Sequence, residues 1–201
     1  MPVINEEIKK KARDIFEYMR DIRRTIHKKP EVGMKEFETA KLICSELKKM
    51  GIPYKEKVGG TGVVGLIKGN ATGSGRCLGM RADMDALSVE ERKEVEYASQ
   101  IPGIMHACGH DGHVATLLGA AKILSQMKDE FSGSVKLIFQ PAEEGPGGAK
   151  PMIKDGVLKD PDVDAIVAFH VGSGKITGNV GLRPGPVHAA QNEFHIKIKG
   201  V

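Results

Sequence analysis

Apolar residues recur along this chain with two periods, and the periods predict its elements. From Asn5 to about Lys28 they fall at Ile8, Ala12, Ile15, Met19, Ile22 and Ile26, the three- and four-residue spacing of one buried helical stripe ended by Pro30. A second amphipathic helix is predicted from about Lys35 to Met50, with Phe37, Ala40, Ile43 and Leu47 inward and Gly51 at the C-terminal stop. Val63–Ile67 and Cys77–Met80 read as short apolar strands around the turn-forming stretch Asn70–Gly75. His113–Met127 carries a helical stripe, Val135–Phe139 reads as a strand ended by Gln140-Pro141, Ala149–Lys154 as a short helix and Val163–Phe169 as a buried strand. Strands alternating with helices predict an α/β domain with a largely parallel sheet. Asn192–Lys199 alternates differently: Phe194, Ile196 and Ile198 share one side and Glu193, His195, Lys197 and Lys199 the other, the pattern of a half-exposed strand. It opens a new sheet just before Val201, so a domain boundary is expected there.

Composition narrows the partners. The 201 residues carry 40% hydrophobic and 28% charged side chains, ordinary globular usage. No apolar run approaches the roughly 20 residues that span a bilayer. Residues 1–11 are polar and lysine-rich, with no apolar segment of the secretory kind behind them. Net charge is +4, aromatics are 4% and Trp is absent, so neither a basic tract nor stacking platforms for nucleic acid are present. Cys44, Cys77 and Cys108 are odd in number and far apart, which does not form a disulfide framework and fits a reducing, cytoplasmic setting. Cys44 and Cys77 read as small buried residues, and His27 as a complement to a helix C-terminus.

Four clusters carry chemistry. The densest is His106-Ala107-Cys108-Gly109-His110-Asp111-Gly112-His113, where thiolate and imidazole donors of the kind zinc-like metals prefer precede a helix. Its bland alternative is a polar loop with Asp111 as helix N-cap. The second, Gln140-Pro141-Ala142-Glu143-Glu144, places adjacent carboxylates after a buried strand, where one can bind metal and the other handle a proton; alone it is a solvated acidic turn. The third is His170 after the Val163–Phe169 strand, and the fourth is Asp83 and Asp85 after the Cys77–Met80 strand. Each taken singly is more often structural. Together they lie at the carboxyl ends of strands that a parallel sheet brings to one edge, where open α/β sheets bind ligands. That edge holds more donors than one closed tetrahedral ion needs, which points to two metals or an open catalytic position.

With these motifs in order, the chain resembles the two-metal amidohydrolases of the aminoacylase/carboxypeptidase-G superfamily. Its nearer branch includes N-acyl-L-amino-acid amidohydrolases, hippurate hydrolase and plant auxin-conjugate hydrolases. The segments that carry the resemblance are HKKPEVGMKEFETA, RADMDAL, MHACGHDGH, FQPAEEGPGGA, FHV and GLRPGPVHAAQNEFHIKIKG. It implies a three-layer α/β/α fold of the phosphorylase/hydrolase-like zinc-peptidase type, with Cys108, His110, Glu144 and His170 as metal ligands, Glu143 as general base and Asp85 as an orienting acid. Asp111 and His113 match motif positions in supporting roles. The implied cofactors are two divalent ions (Zn, Mn, Co or Ni), the substrate a small N-acyl amino acid, and the full-length assembly a homodimer through a lid domain. Residues 1–188 would be the N-terminal part of the catalytic domain and 189–201 the first strand of that lid. Family members run to about twice this length and supply a last ligand His and a lid His beyond Val201, which His188 and His195 do not replace. Low or absent turnover is therefore expected of the 201-residue chain. Ser88 stands where the family usually has Pro. Two rivals remain: a dipeptidase or aminopeptidase of the same superfamily, and a non-catalytic metal-binding fragment. Nucleotide binding fails for want of a fingerprint, since Gly59-Gly60-Thr61-Gly62 lacks the ending of a phosphate loop.

Overall fold

The structure is a computed structural model that describes residues 2–174, 176–187 and 194–200. The chain divides into two units, Met1–Val171 and Gly172–Val201. The first contains α1 (Pro2–Asp14), α2 (Phe16–Lys28), α3 (Phe37–Lys49), β1 (Tyr54–Val58), β2 (Gly62–Lys68), β3 (Cys77–Asp83), α4 (His110–Gln126), β4 (Ser134–Gln140), α5 (Ala149–Lys154) and β5 (Ala165–Ala168), with one 3-10 turn at Lys128–Glu130. The single helix expected over residues 5–28 is broken at Ile15, whose backbone leaves the helical region (φ −102°, ψ 11°). The break leaves the hydrophobic stripe in register, because the Ile15 and Met19 amides still reach back to Lys11 and Ile15.

The five strands form one sheet in the order β1-β2-β4-β3-β5. β4, β3 and β5 are parallel, whereas β1–β2 and β2–β4 pair antiparallel, so the parallel character holds for the half of the sheet that carries the chemistry. β4 is buried along its whole length and is the centre of the fold. On one face Val63, Ile67, Ala82, Val135, Leu137 and Phe139 pack beneath Ile43 and Leu47 of α3 and Val114, Leu117, Leu118 and Ala121 of α4. On the other, Ile138 meets Met152 of α5 and Val157, a much smaller cluster. Helices thus cover both faces, the three-layer arrangement. Lys136 also points to the second face; its buried amine donates to the carbonyls of Val157 (3.0 Å), Lys159 (2.7 Å) and Pro161 (2.9 Å). Those three bonds satisfy a cation that burial would otherwise penalise.

Several expectations need correction here. The strand expected to be buried over Val163–Phe169 spans Ala165–Ala168 and is exposed, because it lies at the sheet edge with a neighbour on one side only, and Phe37, expected inward on α3, is exposed. One strand has no expectation behind it. β1, Tyr-Lys-Glu-Lys-Val, is a strand without an apolar period; it lies at the sheet edge, mostly exposed, where charged residues are tolerated. Of the strand expected over 192–199, the described residues 194–199 have no regular structure, and Phe194, Ile196 and Ile198 are exposed. An alternating pattern makes a strand only when another strand offers backbone groups to pair with. The start of that segment and His188 lie outside the described residues. Among the described residues of Gly172–Val201 there is no helix or strand, and in the chain no described helix is long and apolar enough to cross a membrane.

Candidate metal centre

The parallel strands deliver the four clusters to one edge. Asp83, the last residue of β3, is level with Gln140, the last of β4, and Arg81 is level with Ala168, the last of β5. The next residues along each strand are Met84-Asp85, Pro141 to Glu144, and Phe169-His170. The N-terminus of α4 adds Cys108 and His110. Its N-cap is Gly109 and not Asp111, as the bland alternative for this cluster had it; φ there is +88°, and a Cβ would meet the Val171 side chain at 2.4 Å. Only glycine satisfies both the backbone and the space.

His110 is the hub. It is fully buried, and its Nδ1 lies 3.1 Å from Asp85 Oδ1. Its Nε2 is buried without a hydrogen-bond partner; the nearest carboxylate oxygens, of Asp83 and Glu144, lie at 3.6 and 3.7 Å, beyond bonding reach. Around it, donor atoms of Cys108, His110 and His170 lie within 4.8 Å of one another, as do those of His110, Glu143 and Glu144. Cys108 Sγ is 3.3 Å from His170 Nε2, while His170 Nδ1 donates to the Val171 carbonyl at 2.6 Å. Asp85 also accepts from the Glu144 amide at 3.0 Å, so it contacts both His110 and the acidic turn. A third group within the same span, Asp83, His110 and His113, is chemically different. His113 Nδ1 sits 2.5 Å from Asp83 and its Nε2 accepts from the Val171 amide at 3.0 Å, so both ring nitrogens are already used.

The electrostatics make a deficit of positive charge. Burial raises the pKa of Asp83 and Asp85, but the His113 bond, Arg81 and His110 outweigh it for Asp83, and His110 with backbone amides outweighs it for Asp85; both stay ionised below the usual range. His110 is shifted up, its burial overcome by the Asp85 bond and the surrounding carboxylates. Burial, then the Glu144 hydrogen bond and neighbouring acids, push the Cys108 thiol up to about 12. A divalent cation answers each of these conditions: it takes the orphaned His110 Nε2, favours the thiolate and offsets the carboxylates. An imidazole held by a carboxylate through its other nitrogen is also the arrangement that orients metal-binding histidines. The residues present therefore fit a metal.

Sequence reasoning missed a buried network behind His110. His27 does not simply face a helix terminus: it is buried, 2.7 Å from Asp111 Oδ2 and 3.3 Å from Glu91, and meets Tyr97 edge-on at 5.7 Å. Arg23, one turn earlier on α2, donates to the same Asp111 oxygen at 3.1 Å. His106, also buried, has neither ring nitrogen hydrogen-bonded, and burial pulls its pKa down to about 4 against the charge of Asp111. The available signal was the i, i+4 pair Arg23 and His27 beside the apolar stripe.

The chain is similar to several known proteins. IAA-amino acid hydrolase ILR1-like 4 of Arabidopsis thaliana is 49% identical over 190 residues, which is 94% of this chain and 42% of that protein. Thermostable carboxypeptidase 2 of Saccharolobus solfataricus is 47% identical over 198 residues, 97% of this chain and 49% of that protein. The chain thus spans about half the length of the curated relatives it matches. Among solved structures, the Bacillus subtilis YXEP protein, described as a dinuclear metal binding peptidase from the M20 family, superposes with a TM-score of 0.73 at 38% identity, covering 79% of this chain and 44% of that one. Residues 79–200, which include all four clusters at the sheet edge, match the family model for peptidases M20/M25/M40, and the chain belongs to that family.

Proposed function

We propose that this chain carries the metal-binding part of a hydrolase that cleaves the amide bond of N-acyl amino acids. Cys108, His110, Glu144 and His170 hold two divalent ions, with Asp85 orienting His110. When bound, such ions polarise an amide carbonyl and lower the pKa of water. Glu143 takes the proton of the attacking water and passes it to the leaving amine, the double duty an adjacent carboxylate can perform. The observation that carries this reading is the buried His110 Nε2, unpartnered and surrounded by the two donor groups. The name of the plant relative favours an amino-acid amide, and that of the archaeal one favours a peptide, the second reading. The three free cysteines suit a reducing compartment. For a chain of the relatives' length, we extend the reading to a homodimer through a lid.

The test is elemental analysis of the purified chain after reloading with Zn, Mn or Co and removal of excess ion. About two ions per chain are expected for a two-metal site; none with any ion overturns the reading. In a chain of the relatives' length, Glu143→Gln should then retain the metal and abolish hydrolysis. Comparing N-acetyl and N-benzoyl amino acids with free dipeptides separates the two substrate classes.

A further inference from the structure

The turn bearing Glu143 and Glu144 hangs on Ala142. This residue has φ +50°, in the left-handed region that side-chain-bearing residues rarely adopt, and it is fully buried. Its carbonyl accepts from the amides of Gly147 and Gly148, each at 3.1 Å, which closes the turn. Its own amide donates to Glu36 Oε1 at 2.8 Å, a residue 106 positions earlier. Glu36 is completely buried, and its other oxygen accepts from the Thr61 hydroxyl.

Nothing in its own helix explains this carboxylate. Glu36 occupies the N-cap of α3 but makes no side-chain cap bond; the Glu38 and Thr39 amides are taken by Glu31 instead. It forms no ion pair among the described residues, so a buried acid is balanced by two donors, one of them on the Glu143–Glu144 turn. The surrounding segment closes on the same point. A Cβ on Gly33 would lie 2.9 Å from both Ala142 Cα and Cβ. The Glu31 carbonyl accepts from Ala86 at 2.8 Å, and Val32 bridges to Ala86, beside Asp85. Residues 31–36 therefore brace the Asp85 stretch and the acidic turn together.

We propose that Glu36 is a positioning residue: it holds Ala142 in the left-handed conformation and so sets where Glu143 and Glu144 point. This rests on the reading that those two residues serve the metal centre. The experiment compares the parent chain with Glu36→Gln, Glu36→Ala, and Glu36→Ala combined with Ala142→Gly. Two readouts are taken: amide hydrogen exchange by NMR on the metal-free chain, and cobalt titration followed by its visible absorption. Glu36→Ala should speed exchange at Ala142 and Glu144 while leaving β3 and β4 protected. It should also weaken cobalt binding roughly 10- to 100-fold, the usual cost of losing a support behind a ligand. Glu36→Gln keeps an acceptor for Ala142 and should retain the parent's behaviour. Ala142→Gly, free to take positive φ without help, should restore cobalt binding to Glu36→Ala. Unchanged exchange and binding in Glu36→Ala would overturn the proposal. So would losses spread evenly over the sheet, equal in Glu36→Gln and not relieved by Ala142→Gly. If Glu36→Ala does not fold, Glu36→Asp, too short to reach Ala142, takes its place. A parent chain that binds no cobalt would refute the metal reading, and the exchange pattern at Ala142 would then decide the role of Glu36 alone.

Discussion

The two sides of the candidate centre are built in opposite ways. On one, His110, His113, Asp83 and Asp85 are buried and interlocked, each imidazole fixed by a carboxylate. On the other, His170, Glu143 and Glu144 are exposed on turns, with Cys108 between the two extremes. The buried side doubles as part of the core, so its geometry is paid for by folding itself. The exposed side has little packing to hold it and depends on a few backbone anchors: the Val171 amide on His113, the Ala142 amide on Glu36 and the Glu144 amide on Asp85. Stability and metal affinity should therefore respond to different substitutions.

The largest expected effect is on the buried side. Asp83→Ala leaves His113 and Arg81 without their acid and should cost about 3–5 kcal/mol in urea unfolding of the metal-free chain. A cost below about 1 kcal/mol, the level of an exposed pair, would erase the contrast. On the exposed side, His170→Ala should change that stability by no more than about 0.5 kcal/mol, as surface substitutions do, yet clearly lower the metal content found by elemental analysis. Between them, Cys108 ties metal binding to pH. Its thiol, pushed up to about 12, is protonated at neutral pH and must lose a proton to bind. Cobalt affinity should thus weaken about tenfold per unit fall between about pH 8 and 6, and Cys108→Ser should flatten that slope. The smallest effect belongs to His27, whose pKa is raised chiefly by its bond to Asp111. The folded state then holds the proton more tightly than the unfolded one. Its contribution is full below the ordinary value of 6.5 and fades as pH rises through the raised value. The melting-temperature gap between parent and His27→Gln should narrow accordingly from about pH 6.5 upward.

What the sequence disclosed follows the same division. Val135–Phe139, the α4 stripe and the motifs of the sheet edge announce themselves through local period or local density, and the structure places strands, a helix and strand-end loops there. The direction of β2 was not legible, because alternation and apolar runs do not encode whether a neighbour is parallel. β1 was silent, since an exposed edge strand needs no apolar residues. The supports of the centre were hidden for another reason: His27 meets Asp111 across 84 positions and Glu36 meets Ala142 across 106, and no short-range pattern links such pairs.

Lys136 has a consequence of its own. Its amine is enclosed by three carbonyls, and burial lowers its pKa without exposing it to reagents. Acylating or methylating chemistry that marks the surface lysines within minutes should leave Lys136 untouched until the loop 157–161 lifts from β4. Its rate of labelling is then a clock for that opening, readable by mass spectrometry in a mixture where no spectroscopic probe would distinguish one part of the sheet from another.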